Sequence, residues 1–306
     1  MKAPIIIIAG PTASGKTSFA IKLAQELSGE IINADSLQIY AENPILSAQP
    51  TASERKNIPH HLFGYIKGDE EYNVARWIND AAGQIKYINK TPIIVGGTGF
   101  YLKHLMFGLS AIPDIAPEVH RQATALLDKV GSKEFHKLLA EVDYSIAAEI
   151  EMNNTKRALR AYEVIKSTGK SIKFWQEENI KYFPVSSFKL VILQPDREIL
   201  YQNCNKRFLD MLELGALEEV KYLLKQNYNP IMGIMKSHGI PELSKYLSGQ
   251  WSLQQAIEKS QQVVRNYAKR QITWFRHQFN HPELEKCLVT NPEKQFSVVL
   301  EFCKTL

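Results

Sequence analysis

The run Pro4-Ile5-Ile6-Ile7-Ile8-Ala9-Gly10-Pro11-Thr12-Ala13-Ser14-Gly15-Lys16-Thr17-Ser18 decides the fold. From Gly10 it reads glycine, four variable residues, glycine, lysine and a hydroxyl residue, and the apolar residues 5–8 ahead of it supply a strand. Residues 18–27 continue with helical periodicity and close on Ser28-Gly29. Strand, glycine turn and helix in that order make a phosphate-binding loop. Gly10 and Gly15 permit backbone conformations closed to other residues, so successive N–H groups turn inward and the helix directs its positive end at the same spot. The hollow suits a diphosphate held by Gly10, Pro11, Thr12, Ala13, Ser14, Gly15, Lys16 and Thr17. Lys16 adds a mobile charge, and Thr17 places a hydroxyl where Mg²⁺ bridging two phosphate oxygens would sit. The loop does not say which diphosphate.

Composition bounds the class of protein. At 306 residues and 44% hydrophobic content the chain can bury a large core, enough for one large domain or two ordinary ones. Residues 5–9 are too few to span a bilayer and lack the features of a signal peptide, so a cytoplasmic protein with no membrane partner is expected. Cys204, Cys287 and Cys303 are widely separated and read as free thiols rather than a disulfide framework or a metal site. A net charge of +5 permits a polyanionic partner without requiring one.

Beyond the first helix, Glu30-Ile31-Ile32-Asn33-Ala34 is a second strand, and Asp35-Ser36-Leu37-Gln38 follows at its carboxyl end. Ligands bind at that edge of a parallel sheet, so Asp35 is expected to face the phosphate loop, although Asp beside Ser is also a common turn or cap pair. Residues 42–68 read as loop, with Pro59-His60-His61 expected to serve packing or hydrogen bonding because the zinc-site spacing is missing. Pro92-Ile93-Ile94-Val95 is a buried strand that ends in Gly96-Gly97-Thr98-Gly99. Many phosphate-loop ATPases place a Mg²⁺-binding Asp at such a strand end, and its absence makes ATP hydrolysis less attractive. The glycines allow close approach of a ligand and Thr98 offers a hydroxyl, while a helix entry capped by Thr98 would explain the same letters.

From Pro117 to Trp175 the periodicity is helical without a strand, with Leu126, Leu127, Phe135, Leu139 and Ile146 and then Ala158, Leu159 and Tyr162 at the apolar positions. Lys156, Arg157 and Arg160 cluster on the second of these helices, as a solvated face or as phosphate contacts. Residues 188–193 return to strand and lead into a long helix to about Leu224, on which Arg207 has Asp210 as a nearby partner. Residues 233–241 read as irregular. On the helix that begins near Leu253, Arg265, Lys269 and Arg276 fall in one narrow stripe, interleaved with Tyr267, Trp274 and Phe275. Such aromatics serve a nucleic-acid surface or, more often, the core.

Taken together, the segments Gly10 to Thr17, Asn33 to Tyr40, Pro59 to His61, Val95 to Tyr101, Arg157 to Val164 and Ala268 to Arg276 resemble the bacterial tRNA dimethylallyltransferase (tRNA isopentenyltransferase) family, in family order. The resemblance implies an α/β fold, a P-loop NTPase-like parallel sheet with flanking helices and an all-helical insertion domain. The expected bounds are 1–115 and 176–306 for the core and 116–175 for a tRNA-contacting insertion. It also implies transfer of a dimethylallyl group from dimethylallyl diphosphate to N6 of adenosine-37 beside the tRNA anticodon, with Mg²⁺, by a chain expected to work as a monomer. Under it the loop holds the prenyl diphosphate rather than ATP, Asp35 accepts the N6 proton, Thr98 contacts the same adenine and Arg207 lies near the diphosphate. The implied tRNA contacts are Asp35, Ser36, Leu37, Gln38, Thr98, His120, Arg121, Lys156, Arg157, Ala158, Leu159, Arg160, Lys236, Arg265 and Lys269. His120 stands where many members carry an Arg, with Arg121 next to it; Asn203 replaces a frequent Arg one turn before Arg207; and residues 237–241 depart from the usual Ile-Gly-Tyr. The rival readings are a small-molecule kinase, a prenyltransferase acting on free adenylate and a non-catalytic RNA-binding module, though binding alone would not need Lys16, Thr17 and Asp35 together.

Overall fold

Four mostly apolar, nearly buried runs build the centre of the sheet. In the computed structural model, which describes residues 4–305, β1 (Ile5–Ala9), β2 (Gly29–Asn33), β4 (Thr91–Gly96) and β7 (Phe188–Leu193) are almost entirely buried, as parallel strands covered on both faces must be. With the short edge strand β3 (His60–His61) and the outer strand β8 (Glu285–Val289), the strand order is β3-β2-β4-β1-β7-β8, with every pairing parallel. β3 turns the expected loop histidines into a strand, and β8 pairs with β7 from the far end of the chain. His61 Nε2 bonds the Glu30 carboxylate at 2.8 Å and His60 Nδ1 meets the Ile58 carbonyl at 2.8 Å, so the pair serves hydrogen bonding.

Helices cover the faces. α1 (Lys16–Leu27) and α12 (Phe296–Lys304) share a core with the strands through Phe19, Leu23, Phe296 and Val299. α2 (Val74–Tyr87) follows β3, and α3 (Gly99–Phe107) follows β4. The expected single helix to Leu224 is two, α8 (Arg197–Glu213) and α9 (Ala216–Lys225), because Gly215 takes a φ of 100° that ends the first and starts the second. The stretch read as irregular holds a 3₁₀ turn over Ile234–Lys236 and then α10 (Ile240–Leu247), and α11 (Leu253–Gln278) packs against α8 and α10.

Two compact units divide the chain: one takes residues up to 106 and from 183 onward, the other residues 107–182. The second unit holds α4 (Pro117–Val142), α5 (Tyr144–Ala147), α6 (Thr155–Thr168) and α7 (Ile172–Glu177), so residues 116–175 carry helices alone. The compact unit reaches further at both ends, where β5 (Leu109–Ser110) and β6 (Asn179–Ile180) form a two-residue antiparallel ladder. Its core is Phe135, Leu139, Ile146, Ala147, Ile150, Ala158 and Ala161, and α4 bends at Gly131, whose φ of 76° is not helical. The expected outer bounds at residues 1–3 and 306 lie outside the described residues.

The glycines after β4 serve the packing of the protein itself. A Cβ on Gly96 would lie 2.0 Å from the Ala34 carbonyl oxygen, one on Gly97 2.4 Å from Gln271 Nε2, and one on Gly99 2.2 Å from the Trp274 ring. The close approach read as a ligand's is that of β2 and α11. Gly96→Ala is therefore expected to destabilise the core unit by about 3 kcal/mol, at the upper end for overpacking, as a lowered urea midpoint. A midpoint unchanged from wild type would contradict this packing.

Candidate active site

Strand order brings the chemistry together. β4 lies between β2 and β1, so the ends of three neighbouring strands deliver Asp35, the Gly97-Thr98 turn and the phosphate loop to one edge. This is the edge where parallel sheets bind ligands.

The loop has the expected backbone. Gly10 takes φ 154° with its α-carbon against the β7 end, where a Cβ would meet the Leu193 carbonyl oxygen at 2.4 Å, and Gly15 takes φ 82° as the cap of α1. Ala13 also adopts a left-handed conformation, φ 61°, without being glycine. No side chain caps α1, so its first N–H groups are left for an anion. Lys16 Nζ curls back to donate to the Pro11 carbonyl at 2.6 Å, and Ser14 is buried with its hydroxyl unpartnered among the described residues. Burial pushes the Lys16 ammonium down to about 8, opposed by the Asp35 carboxylate and reinforced by Arg207.

Arg207 reaches the loop from α8 and donates to the Thr12 hydroxyl. Among the described residues no salt bridge joins it to Asp210, and burial lowers its pKa, with Cys204 and Asp35 opposing. Asn203, one turn earlier, donates to the Ala13 carbonyl at 3.5 Å.

Asp35 is placed by a fully buried neighbour. Asn33 accepts the Asp35 N–H at 2.8 Å and donates to the carbonyls of Asp35 and Leu62, both at 3.0 Å, and its own carbonyl accepts the Trp77 indole at 2.9 Å. The Asp35 Oδ1 accepts the Leu37 N–H at 3.0 Å, so the side chain holds the turn while it also lines the cleft. Thr98 receives the Ser36 N–H on its hydroxyl at 2.9 Å, while Gln38 is committed to the carbonyls of Ser47 and Ala48. A cleft of about 1180 Å³ is lined by Thr12 to Ser18, Asp35, Gln38 and Arg207, and by the loop of residues 44–56 that Glu219 anchors through the Ile45 and Leu46 N–H groups. A smaller cavity of about 40 Å³ adjoins Thr12, Asp35, Leu37, Arg207, His238 and Tyr267.

Three further residues join the site: Tyr267, which the sequence marked only as an aromatic on α11, and Gln271 and His238, which carry no local signal. Gln271 bridges Thr12 and Gly97, Tyr267 feels the Asp35 charge and bonds Thr98, and His238 packs on the Tyr267 ring at 4.5 Å with its buried Nε2 unpartnered among the described residues. All three come from far along the chain. Of the aromatics on α11, Phe275 is buried, Trp274 fills the space beside Gly99 and Tyr267 faces the site.

The remaining residues are spread over both units. Lys236 and Lys269 are exposed on the first, and Arg265 donates to Asn205 Oδ1 at 2.5 Å. On the second, His120 meets Glu163 at 2.6 Å, Arg160 lies 3.6 Å from that carboxylate, Arg121 pairs with Glu118, and Lys156 and Arg157 are exposed. Ala158 is buried and Leu159 packs on the same core, so those two side chains serve the unit's interior.

A P-loop α/β enzyme that can hold an anionic leaving group beside a carboxylate is what this edge defines. The chain matches the IPP transferase family over residues 38–278 and the isopentenyl transferase family over residues 3–61. Its relatives include the tRNA dimethylallyltransferase of Ehrlichia ruminantium, 46% identical over 90% of this chain and 92% of that one, and that of Nitrobacter hamburgensis, 39% identical over 97% and 95%. Among solved structures it resembles the tRNA isopentenylpyrophosphate transferase of Bacillus halodurans (TM-score 0.69, 31% identity, 98% and 95% covered). It also resembles a eukaryotic dimethylallyltransferase acting on tRNA (0.80, 28%, 96% and 75%). The chain belongs to the tRNA dimethylallyltransferase family, whose members are prenyl-transferring enzymes. No helix among the described residues is long and apolar enough to cross a membrane.

Proposed function

We propose that this chain transfers a dimethylallyl group from dimethylallyl diphosphate to N6 of adenosine-37 in the tRNA anticodon loop, releasing diphosphate. The observation that carries this reading is Asp35 in the wall of the same cleft as the phosphate loop and Arg207. An adenine amino group is a weak nucleophile because its lone pair is delocalised into the ring. The allylic carbon must therefore become strongly electrophilic as the C–O bond to diphosphate breaks. The uncapped N–H groups of α1, Lys16 and Arg207 take up the negative charge that leaves, and the Asp35 carboxylate accepts the N6 proton as the new C–N bond forms. Thr98 orients the base.

The residues fit a Mg²⁺ ion shared with the ligand. Thr17 lines the cleft with a hydroxyl that has no hydrogen bond among the described residues, and no group of three His, Cys, Asp or Glu there could hold a metal unaided. Mg²⁺ is commonly bound this way, by one or two protein oxygens and the substrate's phosphates. When bound it would neutralise the departing diphosphate.

The target base must leave its stack, which is easiest in a single-stranded loop. Lys156, Arg157 and Arg160 with His120 and Arg121 on one unit, and Lys236, Arg265 and Lys269 on the other, offer cations for the RNA phosphates. The reading also takes the chain to act as a monomer. Replacing Arg265 and Lys269 by Ala is expected to weaken stem-loop binding and flatten its salt dependence by about one in slope for each phosphate no longer neutralised, sparing diphosphate affinity. An unchanged slope would remove them from the RNA surface. The reading as a whole is tested with labelled donor and competing acceptors: an anticodon stem-loop with adenosine-37, the same stem-loop with guanosine there, and AMP, ADP and ATP. Label confined to the first acceptor supports it, and label on free nucleotide overturns it.

A further inference from the structure

We propose that Gln271 is a positioning residue that sets the spacing between the loop that holds the diphosphate and the turn that holds the acceptor base. The inference rests on the reading above. The Gln271 side chain is buried, its Oε1 accepting the Thr12 N–H at 2.8 Å and its Nε2 donating to the Gly97 carbonyl at 2.8 Å. Both ends matter. Thr12 is the loop residue whose hydroxyl Arg207 holds, and Gly97 precedes Thr98, whose hydroxyl fixes the Ser36 N–H beside Asp35.

The β1–β4 ladder stops at the Ala9 and Gly96 pair, so the two segments leave regular structure just where the substrates must meet. Gln271 closes the next step from α11. An amide presents one acceptor and one donor at that spacing; an ionised carboxylate would repel the Gly97 carbonyl, and an apolar side chain would leave both backbone groups unpaired. The absence of a side chain at Gly97 belongs to the same arrangement, since a Cβ there would lie 2.4 Å from Nε2.

Each loop can bind its own substrate without this link, but the allylic carbon and N6 then lose their register. A misplacement of about 1 Å can cost about 100-fold in rate. Gln271→Leu, Gln271→Glu, Gly97→Ala and the double variant Gln271→Leu with Gly97→Ala are compared in single-turnover transfer to the anticodon stem-loop. Affinities for inorganic diphosphate and for the stem-loop are measured separately. The expected result is a rate lowered about 100-fold with both affinities within about threefold of wild type, and a double variant no slower than Gln271→Leu alone. Retained diphosphate binding shows that the loop is folded in each variant.

An unchanged rate, a loss of one affinity that matches the loss of rate, or multiplicative losses in the double variant would each overturn the proposal. A wild-type enzyme that transfers nothing to RNA would instead overturn the reading on which it rests, and does so before any variant is made.

Discussion

Asp35→Asn is expected to slow transfer about 1000-fold while leaving affinity for diphosphate and for RNA within about threefold. The substitution is close to isosteric. An asparagine oxygen can still accept the Leu37 N–H, and the bonds from Asn33 engage only the Asp35 backbone, so the turn survives. What disappears, on the proposed function, is the acceptor for the N6 proton. Single-turnover transfer beside equilibrium binding separates the two roles. A variant that turns over at the wild-type rate would leave Asp35 a turn residue and nothing more.

The second large effect is in pH. Diphosphate affinity is expected to hold below about pH 8 and to fall as pH rises further, by at most tenfold per unit. In the free protein burial lowers the Lys16 ammonium to about 8. A bound anion favours the charged form, so the bound pKa lies higher than the free one. The charge interaction is therefore fully present below the free value and is lost as pH rises through the interval up to the bound value. Binding at pH 9 takes up a proton, seen by calorimetry as a heat that depends on the buffer. Lys16→Met is expected to lose about 100-fold in affinity at pH 7, the size of one strong charge-assisted interaction, and to flatten the pH profile. An unchanged slope in that variant would assign the titration to another group. Because the Asp35 carboxylate raises the Lys16 pKa, Asp35→Asn should move the fall in affinity to lower pH.

The sequence made the inner strands, the loop and Asp35 legible because each is a local signal. A buried parallel strand is a continuous apolar run, and the loop's spacing is dictated by the ligand's size. The edge strand β8 was not legible: its residues are mostly exposed, so Glu285-Lys286-Cys287-Leu288-Val289 carries no apolar run. The break at Gly215 was readable as a glycine but hidden in an otherwise helical pattern. Gly96, Gly97 and Gly99 announced a close approach that the sequence reading gave to a ligand, whereas the partners in the structure are Ala34, Gln271 and Trp274.

The same holds for the rest of the site. Gln271 is 259 positions from Thr12, so nothing near either residue forecasts their bond. His238 sits in a stretch whose local pattern is irregular, and it comes to the site through the packing of α10 and α11. On the helical unit the basic cluster was legible, while its division between exposed Lys156 and Arg157 and the partnered Arg160 and His120 depended on Glu163. That carboxylate shares α6 with Arg160 but reaches His120 on α4, a pairing no local pattern announces.

The most direct measurement places dimethylallyl diphosphate, ATP, Mg²⁺ and the anticodon stem-loop in one reaction and follows both phosphate compounds with the RNA. Diphosphate should be released one-for-one with prenyl groups appearing on N6 of adenosine-37, and ATP should remain intact. ATP consumed while the prenyl donor persists would show that the phosphate loop serves a nucleotide, and would contradict the assignment of this cleft to prenyl transfer.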